Sequence, residues 1–191
     1  MCFLNLDEFS LIFGAITGID MRMITLQKLT LQDYPLIQNM ARFYVYDMSR
    51  DCGSQEGWEL PADGLYECID LKSYFIKDDR IAYLISAENE TAGFALLNKV
   101  GAAPYVDWNM GEFFILAKFQ RRGFGKESAF KIFDLHPGVW NVMTMPLNQS
   151  AHCFWNETIN DYTHENFQLA AKTILEPSPH PMNVFEFRSA G

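Results

Sequence analysis

The chain has 191 residues, 49% of them hydrophobic and 16 of them Phe, with a formal charge of −9. Such a composition is globular rather than disordered, and a chain of this length buries roughly 70% of its unfolded surface without disulfide or metal staples. The acidic balance argues against a general nucleic-acid or anionic-membrane binder, and no apolar run is long enough to span a bilayer. The four cysteines, Cys2, Cys52, Cys68 and Cys153, lack metal-ligand spacing, which points to reduced thiols in a cytoplasmic protein and to no metal.

Residues 1–20 are apolar from Leu11 to Ile19, but Asp7 and Glu8 precede that run, whereas a secretory signal starts basic. The segment reads as an N-terminal extension or as a consequence of start-site choice, with residues 21–191 forming one domain. Met23–Leu29 alternates and predicts a first strand. Thr30, Asp33 and Pro35 open a helix to about Ser49, with Leu36, Met40, Phe43, Tyr44 and Met48 on one face. Asp51–Gly64 is loop-like and places Asp51, Glu56, Glu59 and Asp63 around Trp58.

Leu65–Phe75 is ambiguous between a short helix and a strand. Ile81–Ala87 and Ala92–Val100 predict a hairpin across Glu88-Asn89-Glu90. From Tyr105 the chain enters a strand whose last residues, Glu112–Ala117, are apolar and aromatic apart from the carboxylate. Then comes Gln120-Arg121-Arg122-Gly123-Phe124-Gly125, followed by a helix from Lys126 with Ala129, Phe130, Ile132 and Phe133 at helical spacing, stopped by His136-Pro137-Gly138. Val139–Met145 is a buried strand. Ala151, Phe154, Trp155, Thr158 and Ile159 mark an amphipathic helix. Phe167–Leu175 and Met182–Phe187 read as two last strands, with Pro177, Pro179 and Pro181 barring helix between them.

A strand turning through glycines into a helix aims free N–H groups and a positive helix end at one point, which suits an anion. Gly123 and Gly125 allow close approach, and Arg121, Arg122 and Lys126 add positive charge. The alternative is a plain strand–helix turn with solvated arginines. A Walker A loop is excluded because Glu127 follows Lys126 and Gln120 stands where its first glycine belongs. A dinucleotide fingerprint fails at Ser128.

The surviving pattern, Gln/Arg-x-x-Gly-x-Gly/Ala after an apolar strand, resembles the acetyl-CoA motif of the GNAT (GCN5-related) N-acetyltransferase superfamily. The order β, α, (α), β, β, β, α, β, α, β, β agrees with that fold over about Met21–Phe187. The sequence is similar to bacterial predicted acetyltransferases carrying an EFF(I/V)L…RRG(F/V)G stretch. The resemblance implies an α/β (α+β mixed) domain with a central mixed sheet of about seven strands, flanked by helices, whose splayed parallel strands form an acetyl-CoA cleft.

It further implies acetyl transfer from acetyl-CoA, with no metal, to a primary amine of a small molecule or peptide. The pantetheine arm would meet the backbone of Ile115, Leu116 and Ala117, and the pyrophosphate the amides of Gln120 to Lys126. Arg121, Arg122 or Lys126 would meet the 3′-phosphate; Asn148 would contact the cofactor, and Phe154 and Trp155 would line the arm. The N–H near Leu116 is expected to stabilise the oxyanion. Glu112 is the candidate general base, with Asp107 in reserve. Where many relatives have a proton-donating Tyr, this chain has Trp155, so Tyr162 is the substitute candidate. Trp58 with Glu56 and Glu59 would hold a cationic acceptor. A monomer or homodimer is expected, with neither nucleic acid nor membrane as partner. A non-catalytic acyl-CoA-binding regulatory module, or an interaction protein whose basic turn meets an acidic partner, would use the same motif differently.

Overall fold

The structure, a computed structural model, describes residues 23–66, 68–175 and 179–190; the segment 1–20 lies outside them. Strand β1 (Ile24–Lys28) leads through a short 3-10 turn (Leu31–Asp33) into α1 (Tyr34–Cys52). Asp33 Oδ2 accepts from both the backbone N–H and the hydroxyl of Thr30 at 2.9 Å, which fixes the entry to the helix. The buried face of α1 is Ile37, Met40 and Ala41; Leu36 and Phe43, expected on it, are 43% and 60% exposed. The ambiguous stretch after the loop resolves into one helical turn, α2 (Ser73–Ile76).

Strands β2 (Arg80–Ala87), β3 (Glu90–Asn98) and β4 (Trp108–Ile115) follow, then a 3-10 turn (Ala117–Phe119), α3 (Phe124–Leu135), β5 (Gly138–Thr144), α4 (Gln149–Thr163), β6 (Gln168–Ile174) and β7 (His180–Ser189). The strand ends at Ile115 and not at Ala117, because Phe119 N–H turns back to Leu116 O at 2.8 Å. β4 starts later than Tyr105, because Val106 N–H closes a turn on Ala103 O at 3.2 Å. β7 begins two residues before its expected Met182; Pro181 pairs with Thr173 beyond the end of β5, where no second neighbour needs its missing N–H.

The seven strands form one sheet in the order β1-β2-β3-β4-β5-β7-β6. Every pairing is antiparallel except β4 with β5. Helices α3 and α4 cover one face, where Phe133, Trp140, Ile159 and Phe187 pack; α1 and α2 cover the other, against Phe94, Leu96 and Phe114. Each fully buried Phe of these cores stabilises the fold by roughly 1.5–3 kcal/mol.

Candidate active site

The site begins with one extra residue in β4. Leu97 pairs with Met110 and Leu96 with Glu112, so Gly111 is left without a partner as a β-bulge. The bulge shifts the alternation of side chains. Met110, Phe113 and Ile115 belong to the α3–α4 face, whereas Phe114 faces α1. Glu112 lies opposite Leu96, which belongs to the α1 face, so the carboxylate is turned toward α1 as well. Only glycine fits at the bulge: a Cβ there would stand 2.1 Å from Tyr74 Oη and 2.7 Å from Asn98 Nδ2.

The same point is where β4 leaves β5. Their parallel pairing comprises Trp108 with Trp140, Asn109 with Asn141 and Met110 with Val142, and ends there. Toward β3 the ladder continues to Leu116, whose N–H donates to Ala92 O at 2.8 Å. Alternation along an antiparallel pair therefore turns the amide groups of Phe113 and Ile115 toward the open side. The Ile115 carbonyl accepts from Gln120 Nε2 at 2.8 Å. The Leu116 N–H, expected to serve an oxyanion, is instead committed to the sheet, because the strand is still paired with β3 at that residue.

A cavity of about 630 Å³ fills the opening. It runs from α1 (Tyr44, Met48) and the loop residues Trp58 and Glu59, past Glu112, to Thr144, Asn148 and Trp155. Glu112 is partly buried, and burial pushes its carboxyl up to about 7; hydrogen bonding with Tyr44 opposes that rise only in part. Tyr44 is pushed well above the ordinary phenol value, first by burial and then by the Glu112 charge, so it stays protonated at neutral pH. Its ring packs 5.7 Å from Phe114 and 6.1 Å from Phe94. The Thr144 hydroxyl, at 3% exposure, has no hydrogen-bond partner among the described residues. Asn148 caps α4 by accepting from Ala151 N–H at 3.0 Å, which leaves its amide N–H groups to offer.

At the basic turn, Gly123 caps α3 with φ 87°, and Arg121 is also left-handed at φ 58°. Two such residues within three positions fold the backbone so that successive N–H groups converge. Intrahelical bonding starts with Glu127 N–H to Gly123 O at 3.0 Å, so the amides of Phe124, Gly125 and Lys126 have no acceptor in the helix. Gln120 N–H is spent on Ala117 O at 3.3 Å. Gly125 has a packing role too, since a Cβ would stand 3.2 Å from the Phe154 ring and 3.4 Å from Ile115.

The turn is less positive than its composition suggests. Arg122 pairs with Glu88 at 2.5 Å and stacks over Phe124 at 4.9 Å, and Lys126 pairs with Asp161. Arg121 is exposed and makes no ion pair with the described residues.

Several expected residues fall elsewhere. Tyr162 lies outside the cavity; its hydroxyl donates to Asp134 Oδ1 at 2.8 Å and meets Ser189 Oγ at 2.9 Å, at the far end of α4. Glu56 is exposed and does not line the cavity. Asp107 accepts from Val139 N–H at 2.8 Å, at the paired end of β4 and β5. Ala117 is exposed in the 3-10 turn. Trp155 is 5% exposed and joins Phe113 and Phe154, whose rings stack 5.8 Å apart.

Tyr44 and Thr144 are the residues that sequence reasoning missed. Tyr44 sits four residues from both Met40 and Met48, so its face was legible but not the Glu112 opposite it. Nothing local distinguishes Thr144 from an ordinary strand threonine.

No protein-family model matches the sequence, and no curated protein matches it. Solved structures match the fold. An acetyltransferase from Thermus thermophilus aligns with a TM-score of 0.56 at 16% identity, over 87% of this chain and 97% of that chain. A GNAT-family protein of Desulfovibrio desulfuricans described as an acetyltransferase gives 0.52 at 13% identity, over 88% of this chain and 100% of that chain. A dodecameric spermidine N-acetyltransferase from Vibrio cholerae gives 0.53 at 12% identity, over 87% and 94%. The seven-stranded sheet with its one parallel pair is the fold of the GNAT acetyltransferases.

Proposed function

We propose that this chain, folded as a GNAT acetyltransferase, is an acetyl-CoA-dependent N-acetyltransferase acting on a primary amine in a ternary complex. The observation that carries the reading is Glu112, a partly buried carboxylate beside the opening between β4 and β5, in a cavity with walls from both faces of the sheet.

The residues present fit the cofactor. The Phe124 to Lys126 amides, with Arg121, suit its phosphates. The amides of Phe113 and Ile115, the unpartnered Thr144 hydroxyl and the Asn148 amide suit a chain of amide groups running between the strands. Acetyl-CoA supplies the acyl group as an activated thioester. A carboxyl near 7 is about half ionised at neutral pH, so Glu112 is able to take a proton from the acceptor's ammonium, directly or through a water, leaving the neutral amine to attack. Trp155 has no acidic proton to give; Tyr162 is engaged with Asp134 and Ser189, so the proton for the leaving thiolate falls to solvent.

A non-catalytic acyl-CoA-binding module is the second reading, favoured by Trp155, which has no acidic proton to give. The experiment is thermal unfolding with acetyl-CoA, CoA, NAD and ATP in turn, followed by an amine screen. A ligand at about 100 times its Kd stabilises by about 2.7 kcal/mol, a rise of roughly 5–11 °C for a chain of this size. A rise with acetyl-CoA and CoA alone, with turnover on an amine, is the expected result. A rise without turnover on any amine supports the binding module, and no rise with either overturns both readings.

A further inference from the structure

Resting on the acetyltransferase reading, we propose that the acceptor is a small primary amine with a single cationic head and an apolar body, aromatic or alkyl, and not a polycation. Among the described residues that line the cavity the carboxylates are Glu112 and Glu59. Glu112 is set into the wall on β4, whereas Glu59 is exposed, with one oxygen accepting from Gly57 N–H at 3.0 Å.

Four other acidic side chains of α1 and the segment after it are used elsewhere, Glu56 is exposed outside the cavity, and Glu67 lies outside the described residues. Asp47 pairs with Arg50 at 2.7 Å and accepts from Gln120 Nε2 at 3.1 Å. Asp51 accepts from Ser150 N–H at 2.9 Å, tying α1 to the start of α4. Asp63 accepts from Leu65 N–H at 3.0 Å. Asp70 accepts from Lys72 N–H at 2.8 Å and from the Tyr34 hydroxyl at 3.1 Å. None of these four lines the cavity.

Around Glu112 the acceptor side of the wall is instead Val45, Met48, Trp58, Tyr66, Ile69 and Leu71. Aromatic and thioether side chains of this kind pack an apolar body with little loss of their own freedom. An ammonium placed against them without a carboxylate is left desolvated and uncompensated, which is unfavourable. A triamine or an aminosugar with several ammonium groups would leave at least one in that position. A monoamine places its only charge on Glu112 and its body on the apolar wall. Trp58, expected from the sequence as part of an acidic clamp with Glu56 and Glu59, becomes part of the apolar wall in this reading.

The test measures release of the CoA thiol with 2-phenylethylamine, hexylamine, spermidine and kanamycin, alongside the acetyl-CoA-dependent rise in Tm. Expected is a kcat/KM at least tenfold higher for one of the first two amines than for either polycation. Trp58→Ala should raise the KM for 2-phenylethylamine fivefold or more while leaving the acetyl-CoA rise unchanged. Turnover of spermidine or kanamycin as good as that of the monoamines overturns the acceptor class, as does failure of both monoamines while the acetyl-CoA rise is present. Absence of that rise overturns the acetyltransferase reading itself, and the acceptor class with it.

Discussion

Strands β4 and β5 are built differently at their two ends. At the paired end, Trp108 stacks near Trp140 at 6.2 Å, the Trp140 indole N–H donates to His136 O at 2.8 Å, and the Asn141 side chain accepts from Ala102 N–H at 2.8 Å. At the open end, past Gly111, β4 has no ladder toward β5, Glu112 is held by burial against its charge, and the Thr144 hydroxyl lacks a partner among the described residues. One inserted residue separates a segment closed by a parallel ladder from a segment whose backbone amides and Thr144 hydroxyl face a cavity, although the buried Asn109 Oδ1 of the paired end also lacks a partner among the described residues. Unsatisfied groups are expected where a ligand completes the hydrogen bonding.

Two substitutions should separate the ends most sharply. Glu112→Gln removes the proposed base and should lower kcat by about 10²–10⁴, with the acetyl-CoA rise in Tm retained. Unchanged turnover would remove Glu112 from the chemistry. Trp140→Ala, buried at 0% exposure between Phe133 and Phe187, should cost about 3–5 kcal/mol. That is a fall in Tm of about 6–20 °C, read by calorimetry. A fall of only a degree or two would mean that the paired end does not hold the fold as described.

The same comparison explains what was legible in the sequence. The turn at Gln120–Gly125 makes its defining contacts within a few residues, so local pattern carried it, and Gly123 reaches its left-handed φ; the cap that Asn148 makes on Ala151 is equally local, but Asn148 was expected only as a cofactor contact implied by the resemblance. The order of elements along the chain followed from periodicity for the same reason, whereas their arrangement in the sheet came only from the family resemblance. The bulge at Gly111 was not legible, because it exists only relative to β3. Nor was the neutralisation of Arg122 by Glu88 or of Lys126 by Asp161, which joins residues far apart in the chain. Tyr162 continues the apolar face of α4 and is drawn into the Phe130–Phe133 cluster, away from the cavity, for a packing reason that helical spacing alone does not reveal.

A pH series sharpens the contrast further. Glu112 rises from its ordinary 4.5 to about 7, so the folded state binds a proton that the unfolded state has released between those values. Stability therefore falls as pH rises through that window and levels off above about 7, by at most ~3 kcal/mol and less to the extent that solvent screens the charge. The kcat/KM rises over the upper part of the same window, as the carboxylate forms. Glu112→Gln should flatten the Glu112 part of the stability slope, while Trp140→Ala should lower the whole curve and leave its slope. Chemical unfolding at pH 5, 6, 7 and 8 measures both, and a slope that Glu112→Gln leaves intact would assign the titration to another group.

The smallest effect is the most specific to the open end. Thr144→Val keeps the shape of the side chain and removes only the hydroxyl. A buried hydroxyl with a partner contributes about 1 kcal/mol, and one without a partner costs free energy to bury. Thr144 has no partner among the described residues, so the substitution should leave Tm unchanged or raise it by a few degrees. If the hydroxyl is completed by the cofactor, the same substitution should weaken acetyl-CoA binding by roughly 3–10-fold, the loss of one neutral hydrogen bond. Calorimetric titration with CoA measures this without requiring turnover. A lower Tm with unchanged CoA affinity would mean that the hydroxyl serves the fold, and the open end would then differ from the paired end in geometry but not in what it offers to a ligand.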